Sequence, residues 1–232
     1  MRLLLFNASL ESKWVGERIL EKAAKETTLR PIIVRGGQIC GGINGQWNTT
    51  EWFPALVKSS LHLGALPGGH GVSVERVFCY HNLTGYQNIS WIPLHTAAQA
   101  LIEMRDADQQ VLHISHPHPI PWSEISEFLS RTLRLPLISY EEWLRRLEEK
   151  TGHEDDTANR KGQEANPALR LLFYFRGLEV ENNDGKEALG LPKLSVVEAT
   201  KASASLRAAR PLNTMDAAQW INNWQRAEFL DI

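Results

Sequence analysis

The sequence has only two cysteines, Cys40 and Cys79, too few for a disulfide framework or a four-thiolate zinc site. It lacks an excess of either charge: 25 Lys and Arg against 27 Asp and Glu leave a formal net charge of −2. A nucleic-acid binder needs a basic surplus to neutralise phosphates, so that class is set aside. No apolar run approaches the ~20 residues of a membrane-spanning helix. The run from Leu3 to Phe6 gives way to Glu11, Ser12 and Lys13, too short for a secretory core. The glycines between Gly36 and Gly45 have neither the Lys-Ser/Thr of a phosphate loop nor the spacing of a dinucleotide fingerprint. These absences point to a cytoplasmic protein with no nucleic-acid, membrane or metal partner.

What is present is ordinary globular composition, 43% hydrophobic and 22% charged, with eight tryptophans. Apolar periodicity predicts helices over 11–26, 96–104, 122–133 and 140–150, and one from a Thr49 or Thr50 cap to Leu63, ended by Gly64. Short β-branched runs predict strands over 31–34, 89–92 and 111–115. Met1 to Ala8 reads as a sheet edge or as unrelated joined sequence. Strand alternating with helix predicts an α/β body with a mainly parallel sheet. The last third changes character: a polar stretch over 151–165 reads as a mobile loop, followed by helical segments over 166–177, 195–208 and 214–229. The division expected is an α/β core over 1–115 and a mainly helical cap over 116–232. Gly36, Gly37, Gly41, Gly42 and Gly45 are read as letting the backbone turn and approach a ligand closely. His113, His116 and His118 are read as a solvated turn after a strand, since three imidazoles with no carboxylate nearby make a poor metal site.

Several blocks carry more information. They are Ser12-Lys13-Trp14-Val15-Gly16-Glu17-Arg18-Ile19-Leu20, then Arg35-Gly36-Gly37-Gln38-Ile39, then Gly45-Gln46-Trp47-Asn48 running on to Glu51-Trp52-Phe53-Pro54. After these come Ser90-Trp91-Ile92-Pro93, His116-Pro117 with Trp122, Tyr140-Glu141-Glu142-Trp143, and Trp220 to Leu230. In this order they resemble the C-terminal part of the thioester reductase domain of fungal adenylate-forming, nonribosomal-synthetase-like reductases. That family lies within the extended short-chain dehydrogenase/reductase superfamily, with male-sterility-type NAD binding. The resemblance implies an incomplete Rossmann-type fold, its first nucleotide-binding half missing, with a C-terminal helical substrate-binding cap.

The resemblance also implies a chemistry. NADPH delivers hydride to a thioester carbonyl carried on the phosphopantetheine arm of a carrier domain, giving an aldehyde or alcohol. A Tyr-x-x-x-Lys pair assists, the tyrosine as proton donor and the lysine as ribose ligand that lowers the tyrosine pKa. Lys13 stands at the lysine position; Ser9, not tyrosine, stands four residues earlier. Arg35, Gly36, Gly37 and Gln38 fall at cofactor-side positions, and Trp47, Asn48 and Trp52 at the substrate wall or in the aromatic core. With Ser9 at the acid position and no dinucleotide loop, the chain is expected to be an inactive reductase fragment. The rival reading is a non-catalytic remnant that binds a carrier or other partner, with exposed core surface favouring self-association. Residues 72–87 interrupt the resemblance and read equally as a retained intron or as a surface loop.

Overall fold

The computed structural model describes residues 2–68, 88–150, 164–178 and 186–232. Residues 72–87 and nearly all of the expected loop at 151–165 lie outside the described residues. The chain opens with helix α1 (Arg2–Glu26), so the sheet edge expected over Met1 to Ala8 is helix instead. Leu and Ala are strong helix formers, and no Gly or Pro interrupts before Gly16. Strand β1 (Ile33–Gly36) follows, then β2 (Ile39–Cys40), α2 (Trp52–Leu63) and β3 (Leu66–Pro67). Next come β4 (Asn88–Ile89), β5 (Ile92–Pro93), α3 (Leu94–Glu103), β6 (Val111–Ile114), β7 (Ile120–Pro121), α4 (Trp122–Leu133), β8 (Leu137–Ile138) and α5 (Tyr140–Glu149). The remainder is helical: a 3-10 turn (Pro167–Leu171), α6 (Leu172–Arg176), α7 (Val197–Ala202), α8 (Ala204–Arg207) and α9 (Thr214–Arg226).

The strands pair in four short ladders. β1 with β6, β2 with β5 and β3 with β8 are parallel; β4 with β7 is antiparallel. The expected strand over 89–92 is thus two strands with different partners, parted at Ser90 and Trp91. Ser90 is held there because its carbonyl accepts the Ser115 hydroxyl at 2.8 Å and the His116 N–H at 2.8 Å.

Two apolar clusters result. The smaller joins Leu112 and Ile114 of β6 to Ala97 and Ala100 of α3, Ala199 of α7 and Leu206 of α8, so helices cover one face of the β1–β6 ribbon. The larger is built on α2, whose Phe53, Leu56 and Val57 are fully buried, and on an aromatic group of Trp47, Trp52, Trp91, Trp122, Trp220 and Trp224 around Phe53. Ring pairs there meet largely edge to face, as Trp47 meets Trp91 at 83° and Trp52 meets Trp91 at 87°. That arrangement sets the positive rim of one ring against the negative face of the next. Polar groups on α2 are used as struts. Ser60 Oγ accepts the Trp143 indole N–H at 2.9 Å, and Ser59 Oγ accepts the Ala168 N–H at 2.9 Å, tying α5 and the 167–171 turn to α2. No helix among the described residues is long and apolar enough to cross a membrane.

Candidate functional site

β1 and β6 run in parallel register, Arg35 opposite His113 and Gly36 opposite Ile114. In layered α/β folds ligands meet the carboxyl ends of such strands, and that end holds Gly36, Gly37 and Gln38. Nothing lies within 4 Å of where a Cβ on Gly36 would stand, so the backbone is open on that side. At Gly37 a Cβ would meet Ser115 Oγ at 2.9 Å. The glycine lets the two strand exits close, with Gly37 N–H donating to Ile114 O at 2.7 Å.

Helix α1 approaches the same end. Arg35 donates to Glu17 through Nε at 3.0 Å and through a terminal nitrogen at 2.6 Å, a two-pronged pair. The guanidinium holds the Glu17 carboxyl below its usual range, and Glu17 raises Arg35 in return. Solvent screens this pair, so its stabilisation is about 1 kcal/mol or less, and its importance is geometric. Lys13 is exposed one turn before Glu17, on the same side of the helix. Ser9 stands one turn earlier again on α1.

Three of the remaining expected site residues, Gln38, Trp47 and Trp52, meet in one hydrogen-bond network with Glu51, which no motif singled out. Its carboxylate accepts the Trp47 indole N–H at 2.9 Å and the Gln38 amide at 3.5 Å. Gln38 Oε1 accepts the Trp52 indole N–H at 2.6 Å, and its amide also donates to Ile39 O at 2.6 Å. Gln38, Trp47 and Trp52 are therefore brought together, with Trp47 5% and Trp52 9% exposed. Asn48 is exposed, and its side-chain oxygen accepts the N–H and hydroxyl of Thr50 in the turn before α2. The sequence signal for Glu51 was its four-residue spacing from Trp47; Gln38, thirteen residues earlier, joins only through the fold.

Two expectations are corrected. Gly41 and Gly45 approach α9 rather than a ligand: a Cβ on Gly41 would strike the Trp220 ring at 2.5 Å, and one on Gly45 the Gln219 carbonyl oxygen at 2.1 Å. His116 is not in a solvated turn but 3% exposed, because its ring bridges to Arg210. A buried carboxylate also went unread: Glu187, 6% exposed, accepts the Ser90 N–H at 2.9 Å, and burial raises its pKa. Among the described residues no three His, Cys, Asp or Glu side chains are grouped to hold a metal ion.

The open backbone at Gly36 and the exposed Lys13 suit close approach by a cofactor. The Arg35 and Gln38 side chains already have internal partners, so they would meet one mainly through backbone atoms.

Comparison with known proteins gives a consistent answer. Residues 6–100 match the male sterility protein family of NAD-binding domains, NAD_binding_4. The chain is 36% identical over 225 residues to adenylate-forming reductase Nps10 of Heterobasidion annosum, a match that takes in 94% of this chain and 19% of that protein. In fold it is similar to the terminal R domain of the myxalamid PKS-NRPS pathway, with a TM-score of 0.64 and 17% identity over 94% of this chain and 50% of that one. It is also similar to a thiolation-reductase di-domain from an archaeal non-ribosomal peptide synthetase, with a TM-score of 0.60, 14% identity, and coverage of 93% and 40%. The chain thus spans about a fifth of the Nps10 relative and half of the solved R domain.

Proposed function

We propose, on the premise that this chain is a homologue of the fungal adenylate-forming reductases with a male-sterility-type NAD-binding segment, that it is part of an NAD(P)H-dependent thioester reductase. Its substrate class in this reading is an acyl or aminoacyl thioester on the phosphopantetheine arm of a carrier domain, reduced to an aldehyde or alcohol. The single observation that carries the reading is the 36% identity to Nps10 along 94% of the chain.

NADPH, when bound, supplies the hydride. Lys13 would hold the ribose hydroxyls, and the backbone of Gly36 and Gly37 would border the cofactor at the carboxyl ends of β1 and β6. Asn48 and the edges of Trp47 and Trp52 would border the substrate side. The α/β core ends at residue 115 and the cap begins at 116, and the protein works in the cytoplasm. Ser9 at the proton-donor position has an aliphatic hydroxyl, a much weaker acid than a phenol, and cannot follow Lys13 in lowering the barrier. The chain alone is therefore catalytically silent.

A second reading, a non-catalytic remnant that docks a carrier or another partner, is favoured by the apolar residues left exposed on α1, where Trp14 is 59% and Ile19 63% exposed. Incubating the chain with NADPH and an acyl-phosphopantetheine thioester tests the first reading. We expect no thioester-dependent loss of NADPH; steady oxidation would overturn the silent assignment.

A further inference from the structure

Between α4 and α9 lies a groove of about 460 Å³, within the roughly 300–1,000 Å³ of small-molecule sites. On α9 its wall is Ala218, Ile221, Asn222 and Gln225, whose spacing of three and four residues sets them on one face of the helix. On α4 it is Phe128 and the end of the helix, Thr132 to Arg134. The floor is apolar: Leu133 and Ile221 are buried, and Phe128 is half-buried against the larger cluster. Ala218 offers one methyl group, so α9 leaves the space unfilled.

Arg134 is the one charged side chain among the lining residues. Among the described residues it makes no ion pair, whereas Arg131, one turn earlier, reaches Glu127 at 3.9 Å. It stands as the C-cap of α4 with a left-handed backbone, φ 55° and ψ 41°. α2 ends in the left-handed region too, but with Gly64, which has no Cβ to crowd the following carbonyl. α4 therefore holds a guanidinium at the groove where glycine would be the easier residue. A guanidinium is a fork of N–H donors with no acceptor, the match of a planar carboxylate. Asn222 and Gln225, exposed amides along the same groove, can donate further hydrogen bonds.

We propose that the groove between α4 and α9 binds a small carboxylate with an apolar tail, the tail lying against Phe128, Leu133 and Ile221 and the carboxylate taken by Arg134. An uncompensated cation beside an apolar floor fits an anionic amphiphile better than a neutral one, because the charge-assisted pair adds to the burial of the tail. The site needs neither cofactor nor thioester, so it stands or falls apart from the reductase reading.

Calorimetric titration of the whole chain with decanoate and with decanol tests it, since the two share a tail and differ in the head group. Decanoate should bind about tenfold tighter or more, the scale of a hydrogen bond to a charged group. Arg134→Gly should bring decanoate down to the affinity of decanol, and Arg134→Lys should keep part of the margin. Ala218→Phe, by filling the groove, should weaken both ligands. Arg134→Gly also removes the left-handed penalty, so its urea midpoint should equal or exceed that of wild type, and weaker binding cannot then come from a damaged fold. Backbone amide signals of 128–134 and 218–225 should shift together as decanoate is added. Decanoate held no more tightly than decanol, wild-type affinity in Arg134→Gly, or shifts confined to α1 would each overturn the proposal. So would an absence of binding, and self-association abolished by Ala218→Phe would then give the groove to a second copy of the chain.

Discussion

Gly45 and Gly64 hold nearly the same left-handed backbone, with φ of 77° and 71°, in opposite surroundings. Gly64 ends α2 with open space where a Cβ would go, whereas Gly45 lies against the α9 backbone. Gly64→Ala should therefore destabilise by about 1 kcal/mol, the left-handed penalty alone. Gly45→Ala adds a collision with the Gln219 carbonyl and should lose several kcal/mol, on the scale of overpacking plus strain. Urea unfolding of the pair at pH 8 checks the ranking, and comparable losses would contradict it. Glu51→Ala should cost about 1–3 kcal/mol, because the indole N–H of Trp47 loses its acceptor in a buried place. The end of α2 at Gly64 was legible because a left-handed C-cap has a residue preference. Glu51 was not, because its role is to join donors that only tertiary packing brings near. His116 was misread for the same reason: Pro117 and Pro119 after it mark a turn but do not show what covers it.

Elements are joined in this chain largely by single polar side chains. Glu103, the last residue of α3, accepts the Ser203 hydroxyl at 2.6 Å, the Ser205 hydroxyl at 2.5 Å and the Ser205 N–H at 3.0 Å. It thereby anchors the start of α8, where Ser203 is the N-cap. Those donors favour the ionised form and hold the carboxyl at about 2, below its ordinary 4.5. The sign is that of a depressed acid: the clamp is fully present above about 4.5 and is lost as pH falls toward 2. Unfolding midpoints of wild type and Glu103→Gln should differ most above pH 4.5 and converge on acidification; a gap that is constant with pH would contradict the clamp. The periodic helices over 122–133 and 140–149 were legible in the apolar spacing. The two-residue strands were not, since alternation needs more residues than two to show, and their partners lie far away in sequence. The fold class was readable from the order of elements; the break at Ser90 was not, because the Ser115 and His116 donors that hold it come from a distant segment.

At the scale of the molecule, α1 is the element least satisfied by what surrounds it. Trp14, Val15, Ile19 and Leu20 are 59, 46, 63 and 37% exposed, although all four lie in the Ser12–Leu20 block that carried the family resemblance. Helical stability in water comes mainly from packing an apolar face, so this one should find a cover. We expect concentration-dependent self-association in sedimentation velocity, weakened by Ile19→Lys; a strict monomer insensitive to that change would contradict the expectation. The other seven tryptophans are buried, so the aromatic blocks signalled a core as much as a site. The proposed reductase role is tested by joining this chain behind the glycine-rich nucleotide-binding half of a fungal adenylate-forming reductase and assaying thioester-dependent NADPH oxidation. Activity should be low with Ser9, rise by about 10²-fold or more with Ser9→Tyr as a positioned general acid is restored, and lose that gain when Lys13→Ala is added. A folded chimera with Ser9→Tyr that oxidises no NADPH, or one indifferent to Lys13, would contradict it.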